Sequence, residues 1–191
     1  MSDNMLVAHC APTLAGMKTG SLFACMCGCA GELKQETEQW NAMLNPRGVF
    51  IFVLRISCGR ALIYVYRKER LEKELEDEKR REFLTKLGYD CGDVSRMLRR
   101  LSERISGEEE FPHEIGLFLG YPFADVKGFI ENKGKNCKCA GHWKVYTDEE
   151  EAKILFTKYR KCTDIYCRLL KEGSHILRLT VAGRCLRETG L

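Results

Sequence analysis

The sequence predicts an α+β fold, with a small, mainly antiparallel sheet packed against several helices. Three observations carry this. Residues 49–66 read as a β-hairpin: Val49 to Ser57 and Ala61 to Tyr66 are rich in β-branched and aromatic residues, and Cys58-Gly59-Arg60 turns the chain between them. Ala152, Leu155, Phe156, Tyr159, Cys162, Tyr166 and Leu169 recur at helical spacing and mark one long helix. The order of elements is helices, hairpin, helices, one more strand near 142–146 and that long helix, without repeats or low-complexity linkers.

Taken in order, Leu6 to His9 is a short extended opening. Pro12 suits a first helical turn, so a helix is expected from about Ala11, with Leu14, Met17 or Lys18, Ser21, Leu22 and Cys25 at helical spacing. Residues 32–44 form an amphipathic helix and Asn45-Pro46-Arg47-Gly48 a turn. After the hairpin, 68–106 is a charged helical segment. Its first part, one helix or two, stops at Gly88. The second starts at Asp93 as N-cap, with Val94, Met97, Leu98, Leu101 and Ile105 as its apolar stripe. Gly107 to Glu110 is a solvated link. Short helices are expected at 113–119 and 124–131, a loop at 132–141 and a strand at 142–146. Thr147 and Glu150 make a capping box for the long helix, which ends at Gly173. A short helix falls within 174–182, and the tail 183–191 is loose. The whole, 1–191, reads as one domain.

Charge and cysteine content narrow the function classes. Lys and Arg number 31 against 27 Asp and Glu, a net charge of +4, too small a bias to imply nucleic acid. The basic residues of 67–104 are interleaved with acids, the pattern of a solvated, ion-paired helix. The N-terminus Met-Ser-Asp-Asn lacks the basic start of an export signal, and the longest apolar run, Val49 to Leu54, is strand length. Eleven cysteines, an odd number, then point to reduced thiols in a cytoplasmic protein, such as that of an anaerobe.

Three clusters could carry chemistry. His9-Cys10 with Pro12-Thr13 stands at the expected strand-to-helix junction, where a helix N-terminus favours a thiolate on Cys10; the alternative is a small buried thiol. Lys18-Thr19 does not complete a phosphate loop, because the upstream glycine is missing. His113-Glu114 follows Pro112 in a first helical turn, with His113 as a base and Glu114 as its orienter, or else as an electrostatic cap. Cys137, Cys139 and His142 are residue types that ligate metal, but no second pair stands at a standard spacing.

Several stretches are similar to an uncharacterised protein family, a domain of unknown function found in anaerobic Gram-positive bacteria. They are His-Cys-Ala-Pro-Thr-Leu-Ala-Gly (9–16) with Lys18 and Ser21-Leu-Phe23, then Phe-Pro-His-Glu-Ile-Gly-Leu-Phe-Leu-Gly-Tyr-Pro (111–122), Asp125-Val and Gly128-Phe-Ile. Cys139, Gly141, Trp-Lys-Val-Tyr (143–146) and the helix with Tyr159 and Cys162 continue the likeness. The resemblance implies a bacterial cytosolic protein without an activity to transfer. It groups His9, Cys10, Thr13, Lys18, His113, Glu114, Tyr121 and Trp143 into one site.

The leading expectation is a small enzyme or small-ligand-binding protein whose site forms where 9–18 meets 113–121. There Cys10 is the nucleophile or redox thiol, His113 the base, and Lys18 the group that binds a small anionic ligand. A metal or iron–sulfur module on Cys137, Cys139 and His142 is the second reading. A partner-binding protein presenting the helices of 68–104 is the third. No membrane association is expected, and no motif names a cofactor.

Overall fold

A computed structural model describes residues 1–107 and 110–183 of the chain. The part of the 107–110 link at 108–109 and most of the expected loose tail, 184–191, lie outside the described residues. The fold is α+β as expected, and its centre is a three-stranded antiparallel sheet. β1 (Gly20–Met26) and β2 (Val49–Ser57) flank β3 (Arg60–Arg67). β2 and β3 are the hairpin read from the sequence, with Cys58 and Gly59 both left-handed at the turn.

Helices cover both faces of the sheet, and the two-residue period of a strand assigns each side chain to one of two cores. Tyr64 and Tyr66 of β3 and Leu54 of β2 face one core. It is closed by α3 (Lys68–Leu75), α4 (Glu78–Lys86), α5 (Val94–Gly107) and the apolar turn of α6 (Ile115–Phe118). Ala61, Ile63 and Val65 face the other, closed by α1 (Asp3–Leu14), α2 (Ala30–Leu44) and α9 (Ile176–Leu179). A third, smaller core sits to the side. There β5 (Lys144–Val145), paired with β4 (Cys139–Ala140), packs on the start of α8 (Glu149–Lys171). α7 (Phe123–Glu131) leads into this ribbon, and α8 runs back along α1.

The first 26 residues depart from expectation. Leu6 to His9 is helical, because α1 starts at Asp3 behind the N-cap Ser2, whose side chain accepts from Met5 N. Pro12 lies in the last turn of α1 rather than its first. The carbonyl it leaves without a donor is that of Ala8, on the exposed side. A left-handed Gly16 ends the helix, and the N–H groups of Gly16 and Met17 return to the carbonyls of Thr13 (3.1 Å) and Pro12 (2.8 Å). The chain then enters β1, which pairs with β3 from Gly20↔Tyr66 to Met26↔Arg60, so the helix expected through Cys25 is a strand. Gly20 admits the ring of Tyr64, which a Cβ would meet at 2.5 Å.

Two smaller expectations also change. The strand expected at 142–146 is present at 144–145 but belongs to the separate ribbon, and β1 is the third strand of the main sheet. The cap of α8 is Asp148, which accepts from Glu151 N at 2.9 Å, because Thr147 is committed elsewhere.

Candidate functional site

The turn after α1 is held from below by two arginines, Arg67 at the end of the hairpin and Arg70 in α3. Arg67, 7% exposed, donates to the carbonyls of Thr13 (2.6 Å), Leu14 and Val181 (2.8 Å). Its charge sits at the C-terminal end of α1, where the helix dipole is negative. Arg70 donates to Gly16 O (2.7 Å) and to the Thr19 hydroxyl (3.1 Å), and Thr19 in turn bonds Glu74. This brace fixes Met17 and Lys18 against the third core.

Lys18 is 8% exposed, and among the described residues no carboxylate or hydrogen-bond acceptor pairs with its ammonium. The ammonium stands 5.1 Å from the centre of the Tyr121 ring. Burial lowers its pKa to about 8, with Cys10 acting weakly in the other sense. Tyr121 follows the left-handed Gly120, packs close to Trp143 at 5.0 Å and donates its hydroxyl to His142 O at 2.9 Å. Trp143 meets Phe156 edge-on at 4.6 Å, and the His142 ring meets Tyr159 edge-on at 5.2 Å. Segments 9–18 and 113–121 therefore do meet, through Lys18 and Tyr121.

Asp125, 2% exposed, sets the ribbon in place. Its Oδ2 accepts from Trp143 Nε1 (2.8 Å). Its Oδ1 accepts from Tyr146 N (2.8 Å), Thr147 N (2.9 Å) and the Thr147 hydroxyl (2.8 Å). This satisfies a buried carboxylate and aims the indole edge. Between α6, α7 and β5 lies a half-open cavity of about 150 Å³. Ile115, Gly116, Val126, Phe129, Tyr121 and Trp143 give it apolar walls, and His113, Asp125 and Lys144 give it polar edges. Lys144 stands over the Phe129 ring at 5.7 Å and donates to Gly134 O at 2.7 Å, which leaves two of its N–H groups for other acceptors.

The remaining expected residues are dispersed. Cys10 lies inside α1 with zero exposure, away from any helix N-terminus. Burial pushes its pKa up to about 12, against smaller effects of Lys18 and Ser21. The favoured thiolate loses its structural premise. Thr13 is buried and shares a hydrogen bond with Ser21 (2.9 Å), and His9 is exposed and stacked on Phe23 at 4.9 Å. Glu114 does not orient His113. It is buried and takes hydrogen bonds from Tyr89 (2.9 Å) and Arg104 (2.6 Å), an ion pair that locks α5 to α6. His113 is exposed and lies edge-on to Phe129 at 4.7 Å, at the cavity rim. Among the described residues no three His, Cys, Asp or Glu side chains are placed to hold a metal ion, so Cys137, Cys139 and His142 do not form the expected ligand set. The His142 ring packs against Tyr159 and Phe156 and stays exposed.

The family model described as "Protein of unknown function (DUF3793)" matches residues 6–180, which is most of the chain and, Val181 apart, every residue of the geometry above. The chain belongs to this family. No curated protein and no solved structure shows significant similarity to it. Two residues that organise the site in this DUF3793 chain escaped the sequence reading as functional groups. Asp125 stood in an apolar helical stretch, where a lone acid signals only an N-terminal charge. Arg67 stood at the head of a charged run, where burial of one arginine leaves no local mark.

Proposed function

We propose that the protein binds a small, flat organic molecule with an acidic group in the cavity between α6, α7 and β5. The cavity itself carries this reading: about 150 Å³ with aromatic walls, and His113 and Lys144 at its edge. An apolar space of that size suits a molecule of about one six-membered ring. The ring would lie against Tyr121 and Trp143, and its carboxylate would face Lys144 and His113. The thiol of Cys10 takes no part. The reducing cytoplasm of an anaerobic bacterium suits a chain whose ten described cysteines are free thiols.

Benzoate tests this, followed by Trp143 fluorescence in a Trp40→Phe background. Saturable quenching is expected; Lys144→Met weakens benzoate about tenfold and leaves the weaker binding of an uncharged ring such as benzyl alcohol unchanged. The reading fails if no single-ring acid perturbs Trp143, or if Lys144→Met binds benzoate as the parent does.

A further inference from the structure

Beyond the cavity, on the other side of the Trp143–Phe156 contact, the ribbon and α8 enclose a second, wider cleft of about 690 Å³. His142, Lys153 and Arg160 line it, with no acidic residue among its lining side chains. Lys153 is already paired with Glu149 at 2.5 Å. Arg160 has no carboxylate partner among the described residues, nor has Lys18 behind the His142 turn. We propose that this cleft is a site for a small oxyanion of the phosphate class, bound by Arg160 and His142 with the buried ammonium of Lys18 adding to the field.

The charges agree with this in sign and in placement. A guanidinium and an imidazole N–H are directional donors to a tetrahedral oxyanion, and the bound anion favours the imidazolium form of the ring. Lys18 is 8% exposed and stands behind the His142 turn rather than in the cleft wall, so its charge reaches an anion in the cleft through the field and not by contact. His142 already reports the field: burial first, then Lys18 and Arg160, hold its pKa below the usual imidazole value. Around that ring the charged and titratable groups are Lys18, Arg160, Lys153, Cys139, Tyr121 and Tyr159, and a dianion placed among them opposes the cationic field that lowers the His142 pKa.

The experiment is an NMR pH titration of the His142 ring in the full chain, assigned against His142→Gln, in inorganic phosphate and in sodium chloride of equal ionic strength. Phosphate is expected to raise the His142 pKa saturably, by about one unit, and chloride to leave it in place. Arg160→Gln, on an exposed helix position, is expected to weaken the phosphate dependence about tenfold. Lys18→Met is expected to raise the His142 pKa in chloride and also to weaken phosphate. Methyl phosphate, as a second arm, separates a phosphoester from the free ion as the group recognised. Equal effects of phosphate and chloride overturn the proposal, and so does a phosphate response that survives Arg160→Gln. The outcome is independent of benzoate binding, which reads the other side of the aromatic wall.

Discussion

Asp125 Oδ2 accepts the indole N–H of Trp143 at 2.8 Å across 18 residues of sequence, and both side chains are buried. That bond, with three more on Oδ1, joins α7 to the ribbon and to the start of α8. Asp125→Ala strands three N–H donors and one hydroxyl, and is expected to cost about 3 kcal/mol of stability by urea unfolding. Asp125→Asn is informative as well. Its amide can serve the Oδ1 donors or the indole, but an NH₂ facing Trp143 Nε1 sets donor against donor. Its Trp143 emission should shift toward that of an exposed indole in the Trp40→Phe background. Native emission with native stability would overturn the anchoring role.

Arg67 offers a second test. Lysine keeps the charge but loses the planar fork that reaches three carbonyls at once. Arg67→Lys is expected to cost roughly 2 kcal/mol, and Arg67→Met more, because the end of α1 then loses its cation and its donors together. Equal denaturation midpoints for Arg67→Lys and the parent would contradict this.

Lys18 gives a pH signature whose sign follows from its lowered pKa. Unfolded, it titrates near 10.5; folded, near 8. Below pH 8 both states carry the proton and the folded state bears the whole burial cost, on the order of 3 kcal/mol. Between 8 and 10.5 the unfolded state binds more protons, so stability from this group rises with pH. Cys10 acts oppositely, but only above about 9, since its thiol is raised from 9.0 to about 12. The clean window is therefore pH 8 to 9. Lys18→Met should be more stable than the parent at pH 7, and its advantage should shrink from pH 8 to 9. A constant difference across that window would rule the account out.

The cysteines should separate by environment. Cys29 and Cys58 are exposed, whereas Cys10 is fully enclosed with a thiol held protonated. Iodoacetamide on the native protein, read by peptide mass spectrometry, should label Cys29 and Cys58 first and Cys10 only on unfolding. Early labelling of Cys10 would restore it as a reactive thiol.

The hairpin, the α5 stripe and α8 were legible in the sequence because each carries its period locally. Val49 to Ser57 alternates across a sheet, and Ala152, Phe156, Tyr159 and Cys162 fall on one helical face. The first 26 residues were misread because two local rules competed with tertiary structure. Pro12 resembles a helix start, but it is tolerated where the orphaned Ala8 carbonyl lies on an exposed helix face. Leu14, Lys18, Leu22 and Cys25 sit at helical spacing, but pairing along β3 makes Gly20 to Met26 a strand. Within the site, Lys18, Tyr121 and Trp143, which the family likeness groups, pack together in the structure. Glu114 lies apart from them, because its partners Tyr89 and Arg104 are supplied by other elements, which the sequence beside it does not reveal.

The Arg67 clasp has a consequence for synthesis. Its third acceptor, Val181 O, comes 114 residues after the arginine. While the ribosome still holds that segment, a buried guanidinium and the open end of α1 wait for a carbonyl that has not yet emerged. Nascent chains arrested short of residue 181 should therefore be cut readily by protease within α1, and chains released beyond it should resist. The segment that carries Val181 thus closes over the end of α1 only after the rest of the sheet and helices between them has been made.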